Sequence, residues 1–148
     1  MDTFKKQEAL KPYFENSYGC AVFSSVGKAG TFLGVDFGMG LGLGAYGKGS
    51  VHKLPTEEKV GSVELKQASG GIAFGSEVYK EIIFFETEAD FTRFVEGNVE
   101  FSSDDAKMLG DKSGQYYKGM KVFTAGLMGG LIDKSTIIAR QKFTVKMD

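Results

Sequence analysis

A chain of 148 residues is about one domain long, enough to bury roughly 70% of its unfolded surface without metal or disulfide staples. Its 42% hydrophobic and 25% charged residues are ordinary for a globular protein, but its 21 glycines are about twice the usual share. A formal net charge of −1 argues against a nucleic-acid partner, which would require a positive field, and one cysteine excludes an intramolecular disulfide.

The first 17 residues read as a helical segment. Leu10, Tyr13 and Phe14 stand at i, i+3, i+4, and Pro12 marks a kink or a new first turn. The stretch MDTFKKQEALKPYF has neither the apolar core nor the small-residue cleavage site of a signal peptide. Two localisations follow: a cytoplasmic protein peripheral to membranes, or an exported, periplasmic membrane-associated protein whose leader has been removed.

From Tyr18 to about Gln67 the pattern changes to period two, with turns expected at GKAG (27–30), YGKGS (46–50) and LPTEE (54–58). Cys20 lies in the apolar run CAVF and reads as a small buried hydrophobe rather than a reactive thiol. The single histidine, His52, has no neighbours at ligand spacing, so no metal site is expected. VGSVELKQ alternates as a strand with one wet face. GIAFGSEVYKEIIFFE reads as a long strand with Ile72, Phe74, Val78, Ile82 and Phe84 on one side, and Glu77 and Glu81 among Tyr79, Ile83 and Phe85 on the other. TEADFTRFVEG then breaks the period. Thr87 and Asp90 form a capping-box pattern, Phe91, Phe94 and Val95 an apolar face, and Gly97 a stop, which predicts a helix over 88–96. A shorter helix is expected at 104–109, and strands in KGMKVFTAG, LMGGLID and STIIARQKFTVKM. Residues 1–148 therefore form a single α+β domain, mainly antiparallel β. A β-rich core over 18–148 makes a strongly curved or barrel-like sheet, with two to three short helices packed on it.

The glycine excess concentrates in GVDFGMGLGLGAYGKG, residues 34–49. GLGLGA and GLGAYGKG fit phosphate-loop patterns superficially, but both need a helix to begin there, and YGKGSVHKLP supplies glycines and a proline instead. A membrane span is the weaker reading of a run containing Asp36 and so many helix-weakening glycines. As a strand, the run puts Leu33, Val35, Phe37, Met39, Leu41 and Leu43 on one face and Gly34, Gly38, Gly40, Gly42 and Gly44 on the other. That bare face suits a curved wall or the close approach of another backbone, and a ligand groove is the less favoured alternative.

In order, YGCAVFSSVGKAGTFLG, the glycine strand, QASGGIAFGSEVYKEIIFFE, TEADFTRFVEGNVEF and YYKGMKVFTAGLMGGLIDKSTIIARQKFTV resemble the SYLF domain, a family of lipid-binding modules. The likeness covers Tyr18 to Val145 and departs from the family at Ser24, commonly proline, and Cys20, commonly aromatic. The resemblance implies a mainly β, non-enzymatic domain with no cofactor that binds phosphoinositide or other anionic phospholipid. It also implies an N-terminal lipid-contacting segment, whose nearest equivalents here are Lys5, Lys6 and Lys11 around Phe4 and Leu10. An alternative of another class is a structural or protein-interaction domain of the cell envelope, or an actin-associated domain in a eukaryote.

Charge is polarised along the chain. Residues 57–111 hold five basic and thirteen acidic residues, whereas residues 112–148 hold seven basic and two acidic ones. Arg140, Lys142 and Lys146 alternate with Ala139, Phe143 and Val145, and with the turn lysines Lys28 and Lys48 they are candidate headgroup contacts. A solvated sheet face or a lysine-guarded edge is the plainer alternative. No catalytic residue is expected. There is no Gly-x-Ser-x-Gly elbow, and the acid pairs Glu57/Glu58 and Asp104/Asp105 read as loop and helix-cap charges.

Overall fold

The computed structural model describes residues 1–28, 45–67, 78–97, 99–111, 115–132 and 135–148. Gly34, Gly38, Gly40, Gly42 and Gly44, together with Ile72, Phe74 and Glu77, lie outside them.

Seven strands form one antiparallel sheet: β1 (Gly19–Lys28), β2 (Ala45–Lys53), β3 (Glu58–Gln67), β4 (Tyr79–Phe85), β5 (Met120–Gly126), β6 (Leu131–Ile132) and β7 (Gln141–Met147). Their order is β6-β5-β4-β1-β2-β3-β7. No pairing among the described residues joins the β6 and β7 edges. The fold is therefore an antiparallel α+β sheet without closure among those residues.

The central strands are apolar on both faces because both are covered. On one face Ala21, Phe23, Ile83, Phe85, Val63, Leu65 and Phe143 form a core with Phe91 and Phe94 of α3 (Glu88–Glu96) and Ala106 and Leu109 of α4 (Ser103–Leu109). On the other, Cys20, Val22, Ile82, Phe84 and Ala125 meet Phe4, Leu10 and Tyr13 of the N-terminal segment. That segment is α1 (Asp2–Lys5), a 3-10 turn at Glu8–Leu10 and α2 (Lys11–Asn16), with Pro12 in the first turn of α2 where its missing N–H costs nothing. Tyr13 stacks on Phe84 at a ring separation of 5.4 Å. No helix among the described residues is long and apolar enough to cross a membrane.

The helix α3 begins as its sequence predicts, and α4 begins at Ser103, one residue before the expected start. Thr87 and Asp90 make a reciprocal capping box at α3, and Ser102 and Asp105 repeat it at α4. Three expectations change, one being LMGGLID, where 127–130 form a loop and only Leu131–Ile132 a strand. YGKGS is no turn but the middle of β2, paired on both sides. Its glycines answer to crowding, since a Cβ on Gly49 would fall 2.3 Å from the Val22 carbonyl oxygen and 2.8 Å from the Phe23 ring. The STIIAR half of the last expected strand instead forms a 3-10 turn at Ser135–Ile138 that turns Ile137 and Ile138 into the core.

Candidate functional site

The N-terminal segment covers only part of its sheet face. Cross-strand partners share a face, so the register can be followed outward from Cys20 and Val22, which bury under that segment. They pair with His52 and Ser50 on β2. Ser50, Lys48 and Tyr46 pair with Ser62, Glu64 and Lys66 on β3, and these pair with Lys146, Thr144 and Lys142 on β7. Lys48, Lys66, Lys142 and Lys146 are all exposed on this half-face, with Glu64 the acid among them. Glu64 accepts a 2.9 Å hydrogen bond from the Tyr46 hydroxyl, and burial, together with this bond, pushes that phenol up to about 12. Lys142 lies 4.0 Å from Glu100. Lys48, Lys66 and Lys146 make no ion pair with any described residue.

The N-terminal segment adds three lysines to the same side, together with the exposed acids Asp2, Glu8 and Glu15. Phe4, Leu10 and Tyr13 point inward, which leaves Lys5, Lys6 and Lys11 exposed. Lys5 pairs with Glu57 at 3.0 Å and Lys11 with Glu8 at 2.8 Å, whose hydrogen bond and charge raise the Lys11 ammonium above its ordinary value. Lys6 has no ion pair among the described residues. Of the expected basic residues, Lys142 and Lys146 share a face as anticipated, but Arg140 does not join them by strand alternation. It precedes β7 with a left-handed φ of 67° while its N–H donates to the Phe101 carbonyl at 2.7 Å. Lys28 ends β1, and its side chain lies outside the described residues. Lys48 is a mid-strand residue of the lysine cluster rather than a turn residue.

The opposite side of the sheet carries α3 and α4. Glu88, Asp90, Glu96, Asp104 and Asp105 lie on these helices against Arg93 and Lys107. Between the helices runs an open cleft of about 620 Å³ lined by Asp90, Arg93, Glu100, Asp105, Tyr117 and Lys118. Its polar groups are committed to the fold: Asp90 caps α3 and pairs with Arg93, while Asp105 caps α4 and pairs with Lys118. Partial burial works to raise the Asp105 carboxyl, but hydrogen bonds from Ser102 and Lys118 overcome it and hold the group below its ordinary value.

The reactive residue types are also structural. His52 bonds the Ser50 hydroxyl through Nε2 at 2.7 Å and meets the Glu57 carbonyl through Nδ1 at 3.0 Å, bracing the β2–β3 turn. Cys20 is fully buried, and burial pushes its thiol up to about 12. No group of three metal-ligating side chains occurs among the described residues.

One polar cluster escaped the sequence reading. Glu81, expected on a mixed face with Glu77, is fully buried and accepts a 2.8 Å bond from Gln141, which also donates to the Tyr79 hydroxyl at 3.1 Å. Gln67 donates to the carbonyls of Ile137 and Ala139. The available signal was IIFF immediately after Glu81, since four apolar residues in succession mark a strand buried on both faces.

No protein-family model matches this chain, and a search of curated proteins returns no match.

Proposed function

We propose that this chain is a non-enzymatic, SYLF-like lipid-binding module that docks on anionic membranes through the basic side of its sheet, and that it does not bind nucleic acid. The observation that carries the reading is spatial. The sheet separates a cluster of exposed lysines, Lys48, Lys66, Lys142 and Lys146, from the α3–α4 layer, where five acids stand against two bases, while Lys5, Lys6 and Lys11 lie on the lysine side on a segment that also carries Asp2, Glu8 and Glu15. Cations held close to an anionic leaflet contribute about 1 kcal/mol each, so a cluster of four gives selective but reversible docking. A hydrogen-bonded sheet face fixes their spacing without demanding a pocket, which suits headgroups on a surface rather than one enclosed ligand. A barrel-like, strongly curved wall belongs to the same proposal, because the glycine run that motivates it lies outside the described residues.

Co-sedimentation of the purified protein with vesicles at moderate salt tests the reading. Binding is expected to phosphatidylcholine vesicles that contain phosphatidylglycerol, cardiolipin or phosphoinositide, with little to phosphatidylcholine alone, and is expected to weaken as salt rises. Absence of binding to all three acidic compositions overturns the proposal.

A further inference from the structure

The β5–β6 connection carries an apolar surface that the fold does not use. Leu127, Met128 and Gly129 join Gly126 to Gly130 in a three-residue hairpin loop, closed by the Gly129 N–H to the Gly126 carbonyl and the Gly126 N–H to the Gly130 carbonyl, each 2.9 Å. Gly129 has a φ of 98°, the left-handed residue that a loop of this length requires after its turn. Backbone geometry thus accounts for Gly129. It does not account for Leu127 and Met128, because the apex of such a turn favours short polar residues that satisfy nearby backbone groups. Met128 is 100% exposed, Leu127 58% and Leu131 39%.

The location of this surface gives it a partner. Leu131 pairs with Ala125, whose side chain packs in the core under the N-terminal segment, so Leu131 projects from the same sheet face as the basic cluster. The loop is tied to that segment by the Gln7 side chain, which donates to the Gly129 carbonyl at 2.7 Å. Lys80, one strand away, anchors the segment from the other side through a 2.8 Å bond to the Thr3 hydroxyl. Lys6, exposed and free of any ion pair among the described residues, is the neighbour of Gln7. Apolar side chains at the tip of a tight, tethered turn, on the same sheet face as the lysine cluster and on the face opposite α3 and α4, match the chemistry of an anionic bilayer interface. Lysines remain at headgroup level there while Leu and Met side chains enter the acyl boundary. A protein partner of the acidic type would use the lysines but offers no reason for the apolar apex.

We infer that Leu127, Met128 and Leu131 form the membrane-inserting tip of this protein, seated in the interfacial layer of an anionic bilayer. This rests on the proposed lipid docking and specifies its depth and orientation: the N-terminal segment and the β5–β6 loop face the bilayer, and α3 and α4 face away.

Met128→Cys, labelled with an environment-sensitive fluorophore, reads insertion directly, because the only native thiol, Cys20, is buried. On addition of phosphatidylcholine–phosphatidylglycerol vesicles, label emission should shift to the blue and be quenched by lipids carrying a nitroxide on the acyl chain. Leu127→Ser combined with Met128→Ser should lower vesicle partitioning by roughly tenfold with unchanged thermal unfolding, through the lost apolar transfer of two side chains. Met108→Ser, which removes another exposed apolar side chain from α4 on the acidic side, should leave partitioning unchanged. If the protein sediments with vesicles while the label neither shifts nor is quenched, the inserting tip is refuted and the lysine docking stands. A Met108→Ser loss equal to that of the loop pair refutes it too. Absence of any vesicle binding sinks both readings.

Discussion

Lys66 on β3 and Lys142 on β7 are direct cross-strand partners, so two ammonium groups occupy one register position of an exposed sheet face. Like charges placed opposite each other destabilise a sheet by a few tenths to about 1 kcal/mol. Glu100, at 4.0 Å from Lys142, offsets part of that repulsion; Glu64 shares the face and accepts from the Tyr46 hydroxyl, and Lys66 makes no ion pair with a described residue. The pair fits the proposed docking face, where an anionic surface would supply counter-charge.

Lys66→Thr tests that trade. Removing one charge while keeping a good strand former should raise stability to denaturant by roughly 0.2–1 kcal/mol. The same change should weaken binding to phosphatidylglycerol-containing vesicles about fivefold, from the loss of one near-surface cation. Chemical denaturation and vesicle sedimentation on the same preparation check both signs. A variant that binds as well as the parent takes Lys66 off the docking face.

The turn between Tyr117 and Met120 holds two left-handed residues, Lys118 at φ 52° and Gly119 at φ 76°. They are not equivalent. A Cβ on Gly119 would lie 2.0 Å from the Asp90 carboxyl carbon, so Gly119→Ala combines backbone strain with displacement of the α3 capping box. We expect a loss of about 2–4 kcal/mol, measured by denaturant unfolding. Lys118→Gly relieves the φ strain but gives up an exposed ion pair with Asp105, and should change stability by less than about 1 kcal/mol. Equal losses at the two positions would refute the role assigned to Asp90.

Cys20 sits at the centre of the core beneath the N-terminal segment, fully buried, with its thiol pushed up to about 12 by burial. The thiolate fraction at pH 8 is then negligible, and reagent access requires that the segment lift away. A disulfide reagent should fail to modify the native protein at pH 8 and react fully in denaturant. Rapid native modification would mean that α1 and α2 open readily and would remove the basis for placing their lysines on a fixed surface.

Local chemistry was the legible part of this fold. Thr87 with Asp90, followed by Phe91 and Phe94, specifies a helix start, a helix face and a docking direction within eleven residues, and the structure follows it. VELK alternates, and β3 is wet on one face accordingly. Long-range crowding was illegible: Gly47 and Gly49 read as turn residues until β1 is placed against them, because the contacts that require them come from residues more than twenty positions away. Arg140 was misplaced for a related reason. Alternation assigns a face only within a strand, and the core pulls Ile137 and Ile138 inward in a 3-10 turn, so β7 begins one residue after it. The lysine cluster was half visible. Lys142 and Lys146 belong to one strand, but their meeting with Lys48 and Lys66 depends on β3 pairing with a strand some eighty residues later.

Glu81 gives the sharpest dependence on pH. It faces Tyr79 along its own strand and Gln141 on β7, and pairs in register with Phe23 and Thr124, so no cation meets it among the described residues. Burial pushes its carboxyl up to about 8, against a smaller opposing contribution from the Gln141 bond. Two acceptors, Glu81 Oε2 and Gln141 Oε1, are left without partners, and a proton on Glu81 supplies the donor they lack. The native state therefore binds this proton more tightly than the unfolded chain, whose carboxyl releases it near 4.5. Its contribution is fully present below about 4.5, declines as pH rises, and is lost above about 8, amounting to a few kcal/mol. Glu81→Gln replaces the neutral acid with a neutral amide that still offers a donor and cannot ionise. Denaturation midpoints at pH 5, 7 and 9 should fall steadily for the parent beyond any shared trend, while the variant loses that slope and exceeds the parent at pH 9. Parallel profiles for the two proteins would mean that Glu81 is ionised in the fold, with a compensating group beside it.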